Sequence, residues 1–287
     1  MKVAFLGTGL MGLPMAQQLL AADIPLVAYN RTKEKLAPLK AAGASVVDTP
    51  KEAINSCECV ILMLSNAMAI RCVLLCDGVL HSLKGRTVIQ MGTITPTESK
   101  AIRDEVVAAG AKYLEAPVLG SIPEAKAGEL IVMVGAEPED FRNHTDLLQH
   151  FGSEPLLIGS VGTAAALKLA LNQLIASLTT AFALSLSFIQ RQGVDVELFM
   201  QVLRESALYA PTFDKKLKRM LSNNFANPNF PTKHLLKDTD LFITEAKSVG
   251  LNLTSIESIR HILQKTIRMS LSEEDYSSIY SAIAFDD

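Results

Sequence analysis

The chain of 287 residues is 49% hydrophobic and 20% charged, which supplies a sizeable core, is too long for one minimal domain and excludes a disordered polymer. A formal charge of -3 and a pI near 6.0 exclude nucleic acid as the primary partner, because phosphate neutralisation needs a basic surface. Cys57, Cys59, Cys72 and Cys76 show no CxxC spacing and no neighbouring His, so they read as buried thiols of a reducing compartment and not as a metal site.

The first predicted strand, 2–6, runs into GTGLMG (7–12) and a helix over 11–22. This is G-x-G-x-x-G in the setting that gives it meaning: a strand before it, a helix after it, and a second strand (25–29) ending about 20 residues on. Gly7 permits the tight turn, Gly9 lets a pyrophosphate approach the backbone, and Gly12 packs helix against strand. Leu10 and Met11 open the helix, whose free N–H groups and positive end suit phosphates. A dinucleotide is the expected ligand. The second strand ends in Asn30-Arg31-Thr32, where NAD-preferring sites place an acid against the ribose 2′-hydroxyl. Asn30 is neutral, Arg31 supplies a planar cation and Thr32 a hydroxyl, a set that favours the 2′-phosphate of NADP(H). Thr32 also suits the N-cap of the next helix, and the two roles are compatible.

Further strands are predicted at 45–47, 59–64, 87–91, 112–115, 130–134 and 156–158, separated by helices at 33–42, 67–75, 96–109 and 138–151. Near-continuous apolar strands alternating with helices predict α/β structure: a Rossmann-type, doubly wound parallel sheet over 1–161. Strand signals then stop. A long helix from 164 to 191 ends at Gly193, and helices at 195–205, 212–220, 233–248, 255–270 and 273–283 make 162–287 an all-helical domain. The long helix is interrupted by Ser177, Thr179, Thr180, Ser185 and Ser187 and carries Lys168 upstream, the pattern of a buried helix and not of a membrane span. It also bears apolar residues all round (Leu174, Ile175, Leu178, Phe182, Leu184, Leu186, Phe188, Ile189), more than one contact face can use, so self-association is expected. The cluster Lys215, Lys216, Lys218, Arg219 reads as a solvated helix face. No apolar leader precedes the first strand, and a soluble, cytoplasmic protein with no membrane partner is expected.

FLGTGLMGLPMAQQLL (5–20), EAPVLGS (115–121), GTAAALKLALNQ (162–173) and FPTKHLLKDTDL (230–241) resemble, in order, four blocks of the β-hydroxyacid dehydrogenase family. These are its cofactor fingerprint, substrate-binding block, catalytic-lysine block and Lys-Asp block. The family includes 3-hydroxyisobutyrate dehydrogenase and the glyoxylate/succinic semialdehyde reductases. The resemblance places the catalytic lysine on Lys168 and its companion asparagine on Asn172, and the i,i+4 spacing sets both on one helix face. In a reduction the lysine ammonium would protonate the developing alkoxide, and in oxidation the neutral amine would take that proton back. Burial is expected to lower the lysine pKa towards the working range. On the residues alone, Lys168 is a lysine reaching from a core helix to solvent.

The resemblance further implies cofactor contacts at Leu64, Ser65, Asn66 and Thr93, although the family has proline where Ser65 stands and serine where Gly92 stands. Lys237 and Asp238 would close over cofactor and substrate, a surface ion pair being the plainer reading. Leu119, Gly120 and Ser121 fall on the substrate-binding block. The family commonly has serine at position 119 to bind the substrate carboxylate; leucine donates nothing, Gly120 still permits close approach, and Ser121 supplies a hydroxyl nearby.

What the resemblance implies is a metal-free, two-domain oxidoreductase, a homodimer or homotetramer, with its site in the cleft between the domains. The implied reaction is NADPH-dependent reduction of a small aldehyde acid, glyoxylate or succinic semialdehyde, to the hydroxyacid. NAD(P)-dependent oxidation of a 3-hydroxyacid is the alternative chemistry, and a catalytically silent NADP-binding module is the alternative class.

Overall fold

The computed structural model describes residues 1–284 and divides into two compact units, Met1–Lys168 and Leu169–Asp287. The division falls inside the long helix, beyond the 161/162 boundary expected from the sequence.

In the first unit, β1 (Val3–Leu6), α1 (Gly12–Ala21), β2 (Leu26–Tyr29), α2 (Ala37–Ala41), β3 (Ser45–Val46), α3 (Pro50–Asn55) and β4 (Cys59–Leu62) follow in order. Next come α4 (Ala67–Leu74), α5 (Asp77–Leu80), β5 (Thr87–Gln90), α6 (Pro96–Ala108), β6 (Lys112–Glu115) and β7 (Val118–Leu119). The unit closes with α7 (Ile122–Ala127), β8 (Ile131–Gly135), α8 (Pro138–Leu148), β9 (Leu156–Gly159) and the start of α9 (Thr163–Arg191).

The sheet order is β3-β2-β1-β4-β5-β6-β8-β7, with β9 pairing β8. Alternate strand residues feed two separate cores, as period-2 side chains must. Val3, Phe5, Cys59, Ile61, Ile89 and Leu114 pack on one face. Ala4, Leu6, Val60, Leu62, Val88 and Tyr113 pack on the other. Covering both faces with helices is why these strands are apolar throughout.

The expectation of a parallel sheet holds from β3 to β6 and fails at β8, which runs antiparallel to β6 and β7. An antiparallel neighbour needs no long crossover helix, and six-residue α7 suffices between β7 and β8. The stretch predicted as one helix over 33–42 splits into a 3-10 turn, Lys33–Leu36, and α2, because Pro38 stands at the start of α2. Of the four cysteines only Cys57 and Cys59 are buried; Cys72 and Cys76 are exposed. Burial pushes the Cys59 thiol up to about 12, so it is inert.

The second unit contains the rest of α9, α10 (Val196–Glu205), α11 (Pro211–Ser222), α12 (Thr232–Ser248), α13 (Thr254–Arg268) and α14 (Ile279–Ala284). Its core is built on Phe182, Met200, Phe213, Leu235, Leu263 and Ile279, with the Phe182 and Phe213 rings stacked at 4.7 Å. The basic cluster is not uniformly solvated. Lys216 is buried, its ammonium 2.8 and 2.9 Å from the two carboxylate oxygens of Asp275 and 4.1 Å from the centre of the Tyr276 ring. Asp275 also accepts from the backbone N–H and hydroxyl of Ser277, which starts a 3-10 turn at Tyr276. The helix predicted from 273 therefore begins only at Ile279.

Candidate active site

Tyr29, Leu6, Leu62, Gln90 and Glu115 lie side by side in register across five strands. The ladder continues one step past the strand ends: Gly7 N–H bonds to the Tyr29 carbonyl, Met63 to Leu6, Met91 to Leu62 and Ala116 to Gln90. The loops after β1, β2, β4 and β5 therefore leave one edge of the sheet together, the carboxyl edge where doubly wound sheets bind ligands. They carry Gly7–Gly12, Asn30–Thr32, Leu64–Asn66 and Thr93 respectively.

Gly7 has φ +101°, and a Cβ there would lie 2.4 Å from the Met63 carbonyl oxygen. A Cβ on Gly12 would lie 2.0 Å from the Gly7 carbonyl oxygen, so helix and loop touch backbone to backbone. At Gly9 nothing stands within 4 Å of that position, leaving the backbone open on one side. No side chain caps α1 and no acid occupies its first turn, so its positive end is uncompensated within the helix. These features fit a dinucleotide diphosphate, with Leu10 and Met11 at the helix start.

Asn30 has a structural role that its neutrality alone did not indicate. Its side-chain oxygen accepts the Thr8 N–H at 3.0 Å and its amide donates to the Thr32 carbonyl at 2.9 Å, tying the glycine loop to the turn that presents Arg31. Arg31 is exposed, and Thr32 occupies the N-cap position of the 3-10 turn without a side-chain cap bond. Thr8, buried within the glycine motif, is thus part of the site, joined to it by a contact 22 residues away that no local spacing signals.

Asn66 is committed as a cap: its side-chain oxygen accepts the Ala69 N–H at 2.8 Å at the start of α4. Ser65 is exposed, and Leu64 and Thr93 are half-buried. A Cβ on Gly92 would meet the Leu64 carbonyl oxygen at 2.4 Å, so the two loops approach too closely for the family's serine at that position.

The 119–121 segment stands apart from this row, on and after β7, which pairs with β8 through Val118 and Leu119. Leu119 is half-buried. In the structure Ser121 has its donors engaged within the segment itself. Its N–H bonds to Glu124 at 2.8 Å and its hydroxyl donates to the same carboxylate at 2.6 Å. The S-x-x-E spacing at the start of α7 was the signal for this capping arrangement. Gly120 has φ +137° with Leu130 and Glu124 packed close, so a side chain there would be strained and crowded.

On α9, Lys168 and Asn172 lie one turn apart and both are buried, at 8% and 2% exposure. Within the helical unit the Asn172 amide donates to Asp238 at 2.6 Å, while the Asn172 oxygen is a buried acceptor with no hydrogen-bond partner. Asp238 is 3% exposed and sits 2.7 Å from the Lys237 ammonium. A surface ion pair is therefore the wrong description of Lys237 and Asp238. A buried acceptor of this kind is costly unless a donor reaches it. Among the described residues no group of His, Cys, Asp and Glu is arranged to hold a metal.

Residues 2–162 match the family described as the NAD binding domain of 6-phosphogluconate dehydrogenase. Residues 162–283 match the one described as NAD-binding of NADP-dependent 3-hydroxyisobutyrate dehydrogenase. The chain is 30% identical to the chloroplastic glyoxylate/succinic semialdehyde reductase 2 of Arabidopsis thaliana, over 98% of this chain and 79% of the relative. It is also 30% identical to the mitochondrial 3-hydroxyisobutyrate dehydrogenase of Mus musculus, over 97% of this chain and 85% of the relative. In fold it is similar to the Mycobacterium tuberculosis 3-hydroxyisobutyrate dehydrogenase, with a TM-score of 0.90 at 22% identity and 99% of each chain covered. The chain belongs to the β-hydroxyacid dehydrogenase family, NAD(P)-dependent oxidoreductases that join a Rossmann-type domain to a helical one.

Proposed function

We propose that the protein is an NADPH-dependent reductase of small aldehyde acids, with Lys168 as the general acid. The observation that carries the reading is the buried pair Lys168 and Asn172 on one face of α9, with the asparagine amide fixed by Asp238 and its oxygen left to accept. When bound, the dihydronicotinamide supplies the hydride. Lys168 gives its proton to the carbonyl oxygen as that oxygen becomes an alkoxide, and the Asn172 oxygen would accept from the product hydroxyl once that proton has moved. The glycine loop holds the diphosphate, and Arg31 and Thr32 take the 2′-phosphate.

The substrate end supports a choice within the class. Leu119 donates nothing and Ser121 gives both donors to Glu124, so this segment favours methylenes over charge. Succinic semialdehyde has two methylenes that glyoxylate lacks. At about 0.8 kcal/mol per buried CH₂, kcat/KM is expected to favour it by roughly tenfold. Dihydronicotinamide consumption with both aldehydes, beside NAD(P)+ reduction with 3-hydroxyisobutyrate, tests the reading; turnover of the hydroxyacid alone would replace it with the dehydrogenase chemistry of the mouse relative.

Arg31→Ala is expected to weaken NADPH by about tenfold or more while NADH affinity stays nearly constant, because a charge-assisted bond is worth roughly 1.5–3 kcal/mol. Equal losses for both cofactors would remove Arg31 as the discriminator.

The helical unit supports self-association with a second copy. Ala166, Ala170, Leu174, Leu178, Ala181, Leu184 and Phe188 are exposed at helical spacing along α9, a stripe running most of its length. The helix is long and apolar enough to cross a membrane, but its opposite face carries Lys168, Asn172, Thr179 and Ser187, buried within the protein. An unpartnered apolar stripe of this length favours a protein partner. Light scattering at micromolar concentration is expected to give a dimer or tetramer, and Leu184→Glu with Phe188→Glu to give a monomer.

A further inference from the structure

We infer that Glu115 is a positioning residue for Lys168: its buried carboxylate clamps the first turn of α9 to the end of β6 and so sets where the lysine stands. The inference rests on the reading of Lys168 as the general acid. Glu115 is 1% exposed and is the last residue of β6. One carboxylate oxygen accepts three backbone N–H groups at the start of α9: Gly162 at 2.7 Å, Ala164 at 3.0 Å and Ala165 at 3.2 Å. The other accepts the Ser99 hydroxyl at 2.5 Å, and Ser99 lies 3.0 Å from the Tyr113 hydroxyl.

A helix start leaves N–H groups without partners and carries partial positive charge. The first turn of α9 contains no acid of its own, so the negative charge comes from a strand 47 residues earlier in the chain. Burial pushes the Glu115 pKa up, while the bonds from Ser99, Ala165, Gly162 and Ala164 oppose that shift. Space for the carboxylate is kept by its register partner, Gly135, where a Cβ would lie 2.3 Å from the Glu115 oxygen. Ala164 and Ala165 precede Lys168 by one helical turn on the same buried face. The strand that supplies the clamp also leads directly into the 118–121 segment. Moving the helix start therefore moves the lysine relative to the sheet edge.

Glu115→Gln keeps the shape and removes the charge. With succinic semialdehyde and NADPH, kcat is expected to fall about ten- to a hundredfold, the cost of a misplaced catalytic group, while the NADPH dissociation constant stays within about twofold. Hydrogen exchange at amides 162–165 is expected to accelerate in the unliganded protein, a readout independent of turnover. Glu115→Asp, which keeps the charge, is expected to recover part of kcat. The double variant with Lys168→Ala is expected to be no slower than Lys168→Ala alone, since the two act as one unit. If Glu115→Gln does not fold, Ser99→Ala carries the same test with a smaller loss. Wild-type kcat with only a lowered melting temperature, or unchanged exchange at 162–165, would overturn the inference. Full turnover in Lys168→Ala overturns this inference and the lysine reading together; an inactive Lys168→Ala beside a fully active Glu115→Gln overturns the role of Glu115 alone.

Discussion

Lys168→Ala is expected to lower kcat by about two to four orders of magnitude, the usual contribution of a positioned acid or base. That range corresponds to roughly 2.7–5.5 kcal/mol of transition-state stabilisation. Lys168 is buried on α9, one helical turn before Asn172. The KM for NADPH is expected to stay within about twofold, because a group acting only in the transition state lowers kcat and kcat/KM equally. Lys168→Arg is not expected to rescue the loss. A guanidinium keeps its proton at working pH and cannot serve as the proton source that an ammonium is. Stopped-flow single turnovers with bound NADPH would place the loss on the chemical step. Wild-type single-turnover rates in Lys168→Ala would remove the lysine from the mechanism.

The dinucleotide-binding loop was legible because its signals are local. Gly7, Gly9 and Gly12 declare a backbone approach within six residues. The order of domains was legible for a similar reason, since strand-length apolar runs give way to helical periodicity. What stayed hidden depends on pairs that only the fold brings together. Glu115 looked like one residue of a substrate block, yet its partners are amides 47 to 50 residues on. Lys216 looked like one of several lysines on a wet helix, and its partner Asp275 is 59 residues away. The antiparallel course of β8 was hidden because 116–129 offers runs too short to show a period. Ser121 is different. Its S-x-x-E spacing with Glu124 is a local signal visible in the sequence, and it marks the cap that engages its donors.

Asp275→Ala is expected to destabilise the helical unit by about 3–5 kcal/mol, the cost of leaving one member of a buried ion pair uncompensated. Asp275 is fully buried and holds Lys216 through both oxygens, while Ser277 supplies two further bonds to it. Removing the carboxylate breaks four hydrogen bonds from three donor groups at once and releases the segment that carries Tyr276 from α11. The Lys216 ammonium stays over the Tyr276 ring, but a cation–π contact of about 1–2 kcal/mol does not replace a carboxylate. The loss is also pH-dependent, with a definite sign. Burial holds the Lys216 pKa below its ordinary 10.5, and Asp275 is the main influence raising it. Without Asp275 the folded-state pKa drops further, so the folded chain binds fewer protons than the unfolded one between that value and the ordinary lysine pKa. Stability then rises with pH across that window. The variant is accordingly expected to be weakest at neutral pH and below, and to recover part of its stability towards pH ~10. Lys216→Met with Asp275→Leu, which removes both charges, is expected to regain much of the loss. Urea unfolding followed at several pH values checks each step. A loss that does not change with pH would show that the ammonium is not the group left stranded.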